Sequence, residues 1–387
     1  MISHYQFPGI LLLALLSAPS TYAAGMVSCE ASKRDISKMT KDNLFFTKTK
    51  PLVIGHRGNP ILYQENTLDG YKSLLDLNVD GFETDIFLTK DKKLVLFHDV
   101  NTTTLTGEDH NIMEMTYDEI KKLDIKKQIK YGDRVYNYSK TEKIPLLEDL
   151  LKWMNGSGML MILEMKPSDP PYNLNHSRQT GIEVARMVKR MGLEKQVVMS
   201  SFDPFKLYHA RKELSGIDTC FLFTKNYWKS EKFLKGSKKD LEQLPGVKDC
   251  VKNVSDAEYG KFILETPALV KAIGASSLDM DYDIYNNAKY SNDTYEMFKT
   301  KYGKEFSYGA WTIYKMKFSE KELDDSEGKI QNLIDNGAGR LYVDDIPRLL
   351  KKLGRPLRRP ASLGHYISAP RLLITILMIF SLAKETN

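Results

Sequence analysis

Residues 81–100 read GFETDIFLTKDKKLVLFHDV. Two apolar, β-rich runs, Gly81–Phe87 and Leu94–His98, are separated by Leu88-Thr89-Lys90-Asp91-Lys92-Lys93, a stretch too short for a crossover helix and suited to a hairpin turn. The two runs are therefore expected to pair antiparallel, one as a strand of the principal sheet and one as an addition to it. This reading decides the fold because similar runs recur at Leu52–His56, Leu160–Lys166, Gln196–Phe202, Thr219–Thr224, Ser277–Tyr282, Ser307–Ile313 and Arg340–Asp345, making nine in all. Helical patterns separate most of them, at Thr67–Leu77, Leu146–Met154, Gly181–Met191, Pro204–Leu214, Thr294–Lys301 and Lys329–Asn336. Strands alternating with helices argue for a parallel sheet with crossover helices. Setting aside one hairpin partner leaves the eight strands of a (β/α)8 TIM barrel with an extra hairpin strand and insertions. A doubly wound open sheet is the competing architecture. It lacks nucleotide-site support, because no GxGxxG follows Leu52–His56.

Two stretches interrupt the repeat. Asn101–Lys143 lies between the hairpin and the next helix, and Lys225–Lys261 is polar and lysine-rich. Both read as insertions, which in a barrel surround the mouth when they follow strand C-termini. The lysines of the second fit a solvated face or, alternatively, contact with anionic lipid headgroups.

Ionisable residues gather where these strands end. Leu52–His56 runs into Arg57-Gly58, and a His and an Arg at the end of a buried strand require partners. In Gly81-Phe82-Glu83-Thr84-Asp85-Ile86, alternation puts Glu83 and Asp85 on one face and Phe82 and Ile86 on the other. Two adjacent carboxylates repel each other, and a divalent cation relieves that cost through hard oxygen ligands. Leu94–His98 ends at His98-Asp99, and in Leu160–Lys166 the residues Glu164 and Lys166 share a face. A lysine beside a candidate cation site points to an anionic ligand, for which phosphate is the natural candidate. Two His, one Arg, one Lys and three carboxylates at strand ends together describe a metal-dependent phosphoryl-transfer or phosphodiester-cleaving site. The cation and the basic side chains would stabilise developing charge while the histidines move protons.

The ends read differently from the body. Gly9–Pro19 (GILLLALLSAP), followed by Thr21-Tyr22-Ala23-Ala24, reads as a secretory signal over residues 1–24. Asn-x-Ser/Thr sequons begin at Asn101, Asn137, Asn155, Asn175, Asn253 and Asn292, in keeping with a secreted or lumenal glycoprotein. In that setting Cys220 and Cys250 could pair and leave Cys29 over, or all three could stay free thiols. Residues 360–387 form a tail whose apolar run Leu372–Ala383 is shorter than the ~20 residues of an ordinary transmembrane helix. That run suits membrane attachment, a removed lipid-anchor signal or a loosely packed tail.

The chain has 56 Lys and Arg against 50 Asp and Glu, a net charge of +6, with 42% hydrophobic and 27% charged residues. That balance excludes collagen, an acidic disordered chain and a polytopic membrane protein, and is too thin to argue for nucleic acid. Three cysteines exclude a dense disulfide scaffold and a four-cysteine zinc site.

In order along the chain, His56-Arg57-Gly58, Glu65-Asn66-Thr67, Glu83-Thr84-Asp85, His98-Asp99 with Thr106-Gly107, and Glu164-Met165-Lys166 resemble the glycerophosphodiester phosphodiesterase family. Ile144–Asp149, Ser200-Ser201-Phe202-Asp203, Trp311-Thr312 and Asp345-Ile346-Pro347 look like its further signatures. The resemblance covers about residues 50–350, so one barrel domain over 50–353 fills nearly the whole mature chain. It implies a (β/α)8 barrel of the phospholipase C-like phosphodiesterase type that hydrolyses glycerophosphodiesters to glycerol 3-phosphate and an alcohol, using Ca2+ or Mg2+. It implies that Glu83, Asp85 and Glu164 hold the metal, that His56 and His98 are the acid–base pair, that Arg57 and Lys166 grip the phosphate, and that Trp311 lies against the glycerol. It also implies attack by the substrate's own hydroxyl and a cyclic phosphate opened by water. Thr104, Gln64 and Ile313-Tyr314 stand where the family usually has Arg, Pro and Val-Asn, which bears on substrate fit rather than chemistry. The alternatives are a lysophospholipase D-like or cyclising phospholipase acting on lysophospholipids, and a non-enzymatic secreted binding protein.

Overall fold

The computed structural model describes residues 51–166, 173–224, 275–282, 307–335 and 337–357, with isolated positions 239, 242 and 255. The segments 1–24 and 360–387, nearly all of Lys225–Lys261, the helix expected at Thr294–Lys301, the sequons at Asn253 and Asn292, and Cys29 and Cys250 lie outside the described residues. Among the described residues no helix is long and apolar enough to cross a membrane.

Eight parallel strands close into a barrel: β1 (Leu52–Gly55), β2 (Gly81–Leu88), β6 (Leu160–Met165), β7 (Val197–Ser201), β8 (Asp218–Phe223), β9 (Ser277–Asp281), β10 (Ser307–Ile313) and β11 (Arg340–Val343). The ring closes because β1 pairs with β11 on one side and with β2 on the other. The ninth strand, β3 (Leu94–Leu96), lies outside the ring and pairs antiparallel with the end of β2, Ile86 opposite Leu96 and Leu88 opposite Leu94. The turn at Leu88–Lys93 therefore makes the hairpin expected from its length, and β2 is its barrel member.

Alternation divides the strand residues between two cores. Outward Phe82, Ile86, Met161, Leu163, Val197 and Met199 pack beneath the helices. Inward Leu52, Ile54, Leu160, Ile162, Val198, Cys220, Leu222 and Tyr342 fill the barrel. Cys220 is a fully buried free thiol in that interior, as in the free-thiol alternative; its strand position turns the sulfur toward the barrel axis. The interior also holds Arg340, wholly buried, whose Nε donates to Asp279 Oδ2 at 3.2 Å. At Gly81 a Cβ would stand 2.3 Å from the Leu160 carbonyl oxygen, so the close approach of β2 to β6 there demands glycine.

The helices among the described residues include α1 (Leu68–Lys72), α2 (Leu147–Met154), α3 (Leu174–Met191), α4 (Pro204–Glu213), α5 (Glu327–Asp335) and α6 (Ile346–Lys352). Thr67 caps α1, accepting from the Gly70 N–H at 3.4 Å. The expected helix at Gly181 begins earlier, at Leu174, where the Asn173 side chain accepts from the His176 N–H at 3.1 Å. Its first turn is polar and carries no apolar period to mark it.

The insertion Asn101–Lys143 is a cap with its own core. One-turn helices at Thr103–Thr106 and Tyr117–Ile120 precede a hairpin of β4 (Gln128–Tyr131) and β5 (Arg134–Asn137). Ile112, Ile120, Leu123, Ile125, Ile129 and Ile144 pack there against Phe87, Val95 and Phe97 of the β2–β3 hairpin. Gln64, at the position noted for its departure from Pro, donates from Nε2 to the carbonyls of Lys140 (2.6 Å) and Lys126 (3.2 Å), tying the cap to the loop after β1.

Candidate active site

Glu83 and Asp85 both point into the barrel from β2, and Glu164 stands opposite Asp85 in the register of β2 and β6. All three are buried, at 3%, 0% and 7% exposure. One oxygen from each can be chosen so that the three lie within 4.8 Å of one another. Glu83 Oε1, Asp85 Oδ1 and Glu164 Oε1 are buried without a hydrogen bond of good geometry. Such oxygens are costly unless something positive reaches them, and part of that charge is supplied by Lys166, whose Nζ lies 2.7 Å from Glu164 Oε1 and 3.3 Å from Asp85 Oδ1.

The turn after β1 supplies the second cation. Arg57 has φ 58°, in the left-handed region, where a non-glycine residue carries roughly 1–3 kcal/mol of strain. That geometry aims its backbone N–H at Glu83 Oε2 (3.1 Å) while its guanidinium Nη1 donates to Glu65 Oε1 (3.0 Å) and Nε lies 3.3 Å from Asp85 Oδ2. Among the described residues, the cationic side chains paired with Glu65, Asp85 and Glu164 and facing Glu83 are Arg57 and Lys166. That surplus of negative charge, together with the orphaned hard oxygens, fits a divalent cation.

The electrostatics are consistent with that fit. Burial, and then the charges of Asp85 and Glu164, push Glu83 well above the ordinary carboxylate range. Asp85 is held below that range: burial opposes its ionisation, and Lys166, His98 and Arg57 overcome the opposition. Burial likewise works against the charges on Lys166 and Arg57, but Glu164 and Asp85 raise the first and Glu65, Asp85 and Glu83 raise the second.

Two histidines flank the cluster. His56 follows β1, with Nδ1 2.6 Å from Asp344 Oδ1 and Nε2 4.0 Å from Glu83 Oε2. His98 arrives from the strand outside the barrel: the Phe97 N–H donates to the Asp85 carbonyl at 3.1 Å, so the next residue stands beside the carboxylates. Its Nδ1 is 2.6 Å from Asp99 Oδ1. Burial, and then Arg57 and Lys166, lower the His98 pKa below that of a free imidazole. Trp311 lies on β10 with its ring edge-on to Phe202, centroids 5.6 Å apart, and packs against the barrel interior rather than joining the ion pairs.

Two contributors escaped the sequence reading. Asn66, at φ 57°, accepts at Oδ1 from the Tyr71 hydroxyl (2.7 Å), the Asp85 N–H (3.1 Å) and the Thr84 hydroxyl (3.2 Å), and donates from Nδ2 to Asp85 Oδ2 (2.8 Å). It sets the orientation of Asp85. Asp344 partners His56, and alternation from the buried Arg340 and Tyr342 is the signal that places it on the inner face. Of the departures noted in the sequence, Thr104 is exposed, and Tyr314 is buried under the Arg348 guanidinium, 4.9 Å from its ring centroid.

The family model described as the Glycerophosphoryl diester phosphodiesterase family matches residues 56–298. A glycerophosphodiester phosphodiesterase of Caldanaerobacter subterraneus is 33% identical over 165 residues, which are 42% of this chain and 63% of that relative, so the match spans less than two thirds of its length. Among solved structures, a glycerophosphodiester phosphodiesterase from Parabacteroides distasonis superposes with a TM-score of 0.52 at 20% identity, covering 80% of this chain and 100% of that one. An Oleispira antarctica phosphodiesterase solved in complex with the product sn-glycerol-3-phosphate superposes at 0.54 and 16% identity, covering 79% of this chain and 97% of that one. At these identities the structural likeness establishes the fold.

Proposed function

Because this chain belongs to the glycerophosphoryl diester phosphodiesterase family, we propose that it hydrolyses glycerophosphodiesters to glycerol 3-phosphate and an alcohol. The observation that carries the proposal is the buried triad Glu83, Asp85 and Glu164 interleaved with Arg57 and Lys166 and flanked by His56 and His98. The product complex of the Oleispira antarctica phosphodiesterase supports the same substrate class.

In this reading Glu83, Asp85 and Glu164 hold a divalent cation, Ca2+ or Mg2+. When bound, the cation polarises the phosphoryl oxygen and acidifies the attacking hydroxyl. Arg57 and Lys166 grip the remaining phosphate charge through directed N–H groups. The substrate's own glycerol hydroxyl attacks phosphorus and displaces the alcohol, and water then opens the cyclic phosphate. One of His56 and His98 takes the hydroxyl proton while the other returns a proton to the leaving oxygen, and the roles reverse in the second step. Trp311 forms an apolar wall for the glycerol. The features that favoured a lysophospholipid substrate, the Lys225–Lys261 insertion and the tail, lie almost wholly outside the described residues, and the glycerophosphodiester reading is the one retained.

The test is to incubate the full chain with glycerophosphocholine and with lysophosphatidylcholine, with and without chelator. Metal-dependent release of glycerol 3-phosphate and choline from the first is expected. Turnover of the lipid alone would sink the proposal.

We also propose passage through the secretory pathway. The signal-like segment 1–24 supports it, as do the exposed sequon asparagines Asn101, Asn137, Asn155 and Asn175. Expression in a secreting eukaryotic cell should yield a chain in the medium whose gel mobility shifts on deglycosylation; an unshifted intracellular chain would overturn this.

A further inference from the structure

Asp344 follows β11 at the barrel mouth, where it is 6% exposed and its N–H donates to the Ile313 carbonyl at 3.2 Å. Both of its carboxylate oxygens are engaged. Oδ1 lies 2.6 Å from His56 Nδ1, and Oδ2 accepts from the Met316 N–H at 2.8 Å. The Met316 backbone is itself clamped from the cap. The Tyr136 hydroxyl donates to the Met316 carbonyl at 2.8 Å, and Arg134 Nη1 donates to the Phe318 carbonyl at 2.9 Å. The cap hairpin, the loop after β10, Asp344 and His56 thus form one continuous chain of hydrogen bonds.

A buried carboxylate on one imidazole nitrogen fixes which nitrogen carries the proton and stabilises the ring when it becomes charged. With Nδ1–H committed to Asp344, Nε2 is the ring atom left to exchange protons, and it is the one on the Glu83 side, at 4.0 Å. Among the described residues, the carboxylate on His98 Nδ1 is that of Asp99, which is 49% exposed and adjacent in sequence, unlike the buried Asp344.

We propose that Asp344 is a positioning residue that holds His56 as the Nδ1–H tautomer with Nε2 turned to the substrate. The consequence for turnover rests on the phosphodiesterase reading above. Asp344→Asn is the informative change: one amide oxygen can still accept from Met316, while the amide nitrogen facing His56 cannot accept from Nδ1.

The experiment uses the full chain labelled with 15N-histidine, with His56→Gln to assign the His56 signals, together with steady-state kinetics on glycerophosphocholine. Expected in the wild type is an Nδ1-protonated His56 that is lost in Asp344→Asn. Alongside it, kcat falls roughly 100-fold with KM nearly unchanged and with the calorimetric affinity for Mg2+ or Ca2+ retained. An Nε2-protonated His56 in the wild type, or wild-type kcat in Asp344→Asn, overturns the inference while leaving the phosphodiesterase reading intact. A wild-type chain that does not turn over glycerophosphocholine defeats that reading instead, and the tautomer still decides whether Asp344 holds His56. If Asp344→Asn does not fold, the wild-type spectrum remains decisive.

Discussion

Asp85 and Glu164 stand opposite one another in the parallel register of β2 and β6, both buried, with Lys166 Nζ lying between them at 3.3 and 2.7 Å. Arg57 is the second cation of this cluster, 3.3 Å from Asp85 and 3.0 Å from Glu65, so two cations stand among the four carboxyl groups of Glu65, Glu83, Asp85 and Glu164, in a buried space that favours a further cation.

The first prediction concerns that further cation. A ligand that binds only the folded chain stabilises it by mass action, by about 2.7 kcal/mol at a hundredfold excess over Kd. Adding Mg2+ or Ca2+ should raise the thermal midpoint of the full chain, and a chelator should reverse the rise. Glu83→Gln should remove most of the response without unfolding the protein, since the neutral carboxamide is close to the uncharged form that burial and the neighbouring carboxylates favour at Glu83. A midpoint insensitive to both ions in the wild type would contradict the metal assignment.

The second prediction isolates Asn66. Its carboxamide satisfies the Tyr71 hydroxyl and the Asp85 N–H inside the protein. Its φ of 57° is one that glycine adopts without strain. Asn66→Gly therefore preserves the backbone while orphaning buried groups that cost roughly 1–3 kcal/mol each. Chemical denaturation should show a loss of about 2–4 kcal/mol, and kcat should fall because Asp85 loses its Nδ2–H donor. A neutral Asn66→Gly would show that water replaces the side chain.

The third prediction is a pH dependence. His98 titrates below an ordinary imidazole, through burial and then the charges of Arg57 and Lys166, so it is neutral at neutral pH and suited to accept a proton. The acid limb of kcat/KM should accordingly lie below about pH 6.5. The Asp99 hydrogen bond acts in the opposite direction, raising the His98 pKa. Asp99→Asn should then move the acid limb to still lower pH. A shift to higher pH would mean that another group sets that limb.

Much of this architecture is legible in the chain because barrel strands are short apolar runs with a strict alternation. Glu83, Asp85, Glu164 and Lys166 follow from their strands once the faces are assigned. The hairpin follows from the six residues between its runs. His56 and Asp344 are 288 positions apart, and nothing local to either announces the contact. Asn66 is equally silent, since Glu65-Asn66-Thr67 also reads as an ordinary helix entry and its hydrogen bonds reach a strand 18 and 19 positions away. The cap core is built from single-turn elements too short to show any period, so Ile112, Ile120 and Ile129 read as scattered apolar residues until the chain folds.

The fourth prediction concerns the barrel interior. Arg340 and Asp279 are both wholly buried, bonded to each other, with the Tyr342 hydroxyl and Ser307 completing the network. Two ions removed from water repay their desolvation only through each other, so the pair need not stabilise the fold relative to an apolar filling. Breaking it is a different matter. Arg340→Met takes the cation from the buried Asp279 carboxylate and leaves the Tyr342 hydroxyl as its hydroxyl donor, and the expected loss is roughly 3–5 kcal/mol. Replacing both, as Arg340→Met with Asp279→Leu, removes the stranded charge and should recover most of that loss, although the Tyr342 hydroxyl then lacks its acceptor and keeps the recovery incomplete. Denaturant unfolding of the two single variants and the double variant measures the coupling directly. Single losses that simply add in the double variant would show that the two charges do not depend on each other.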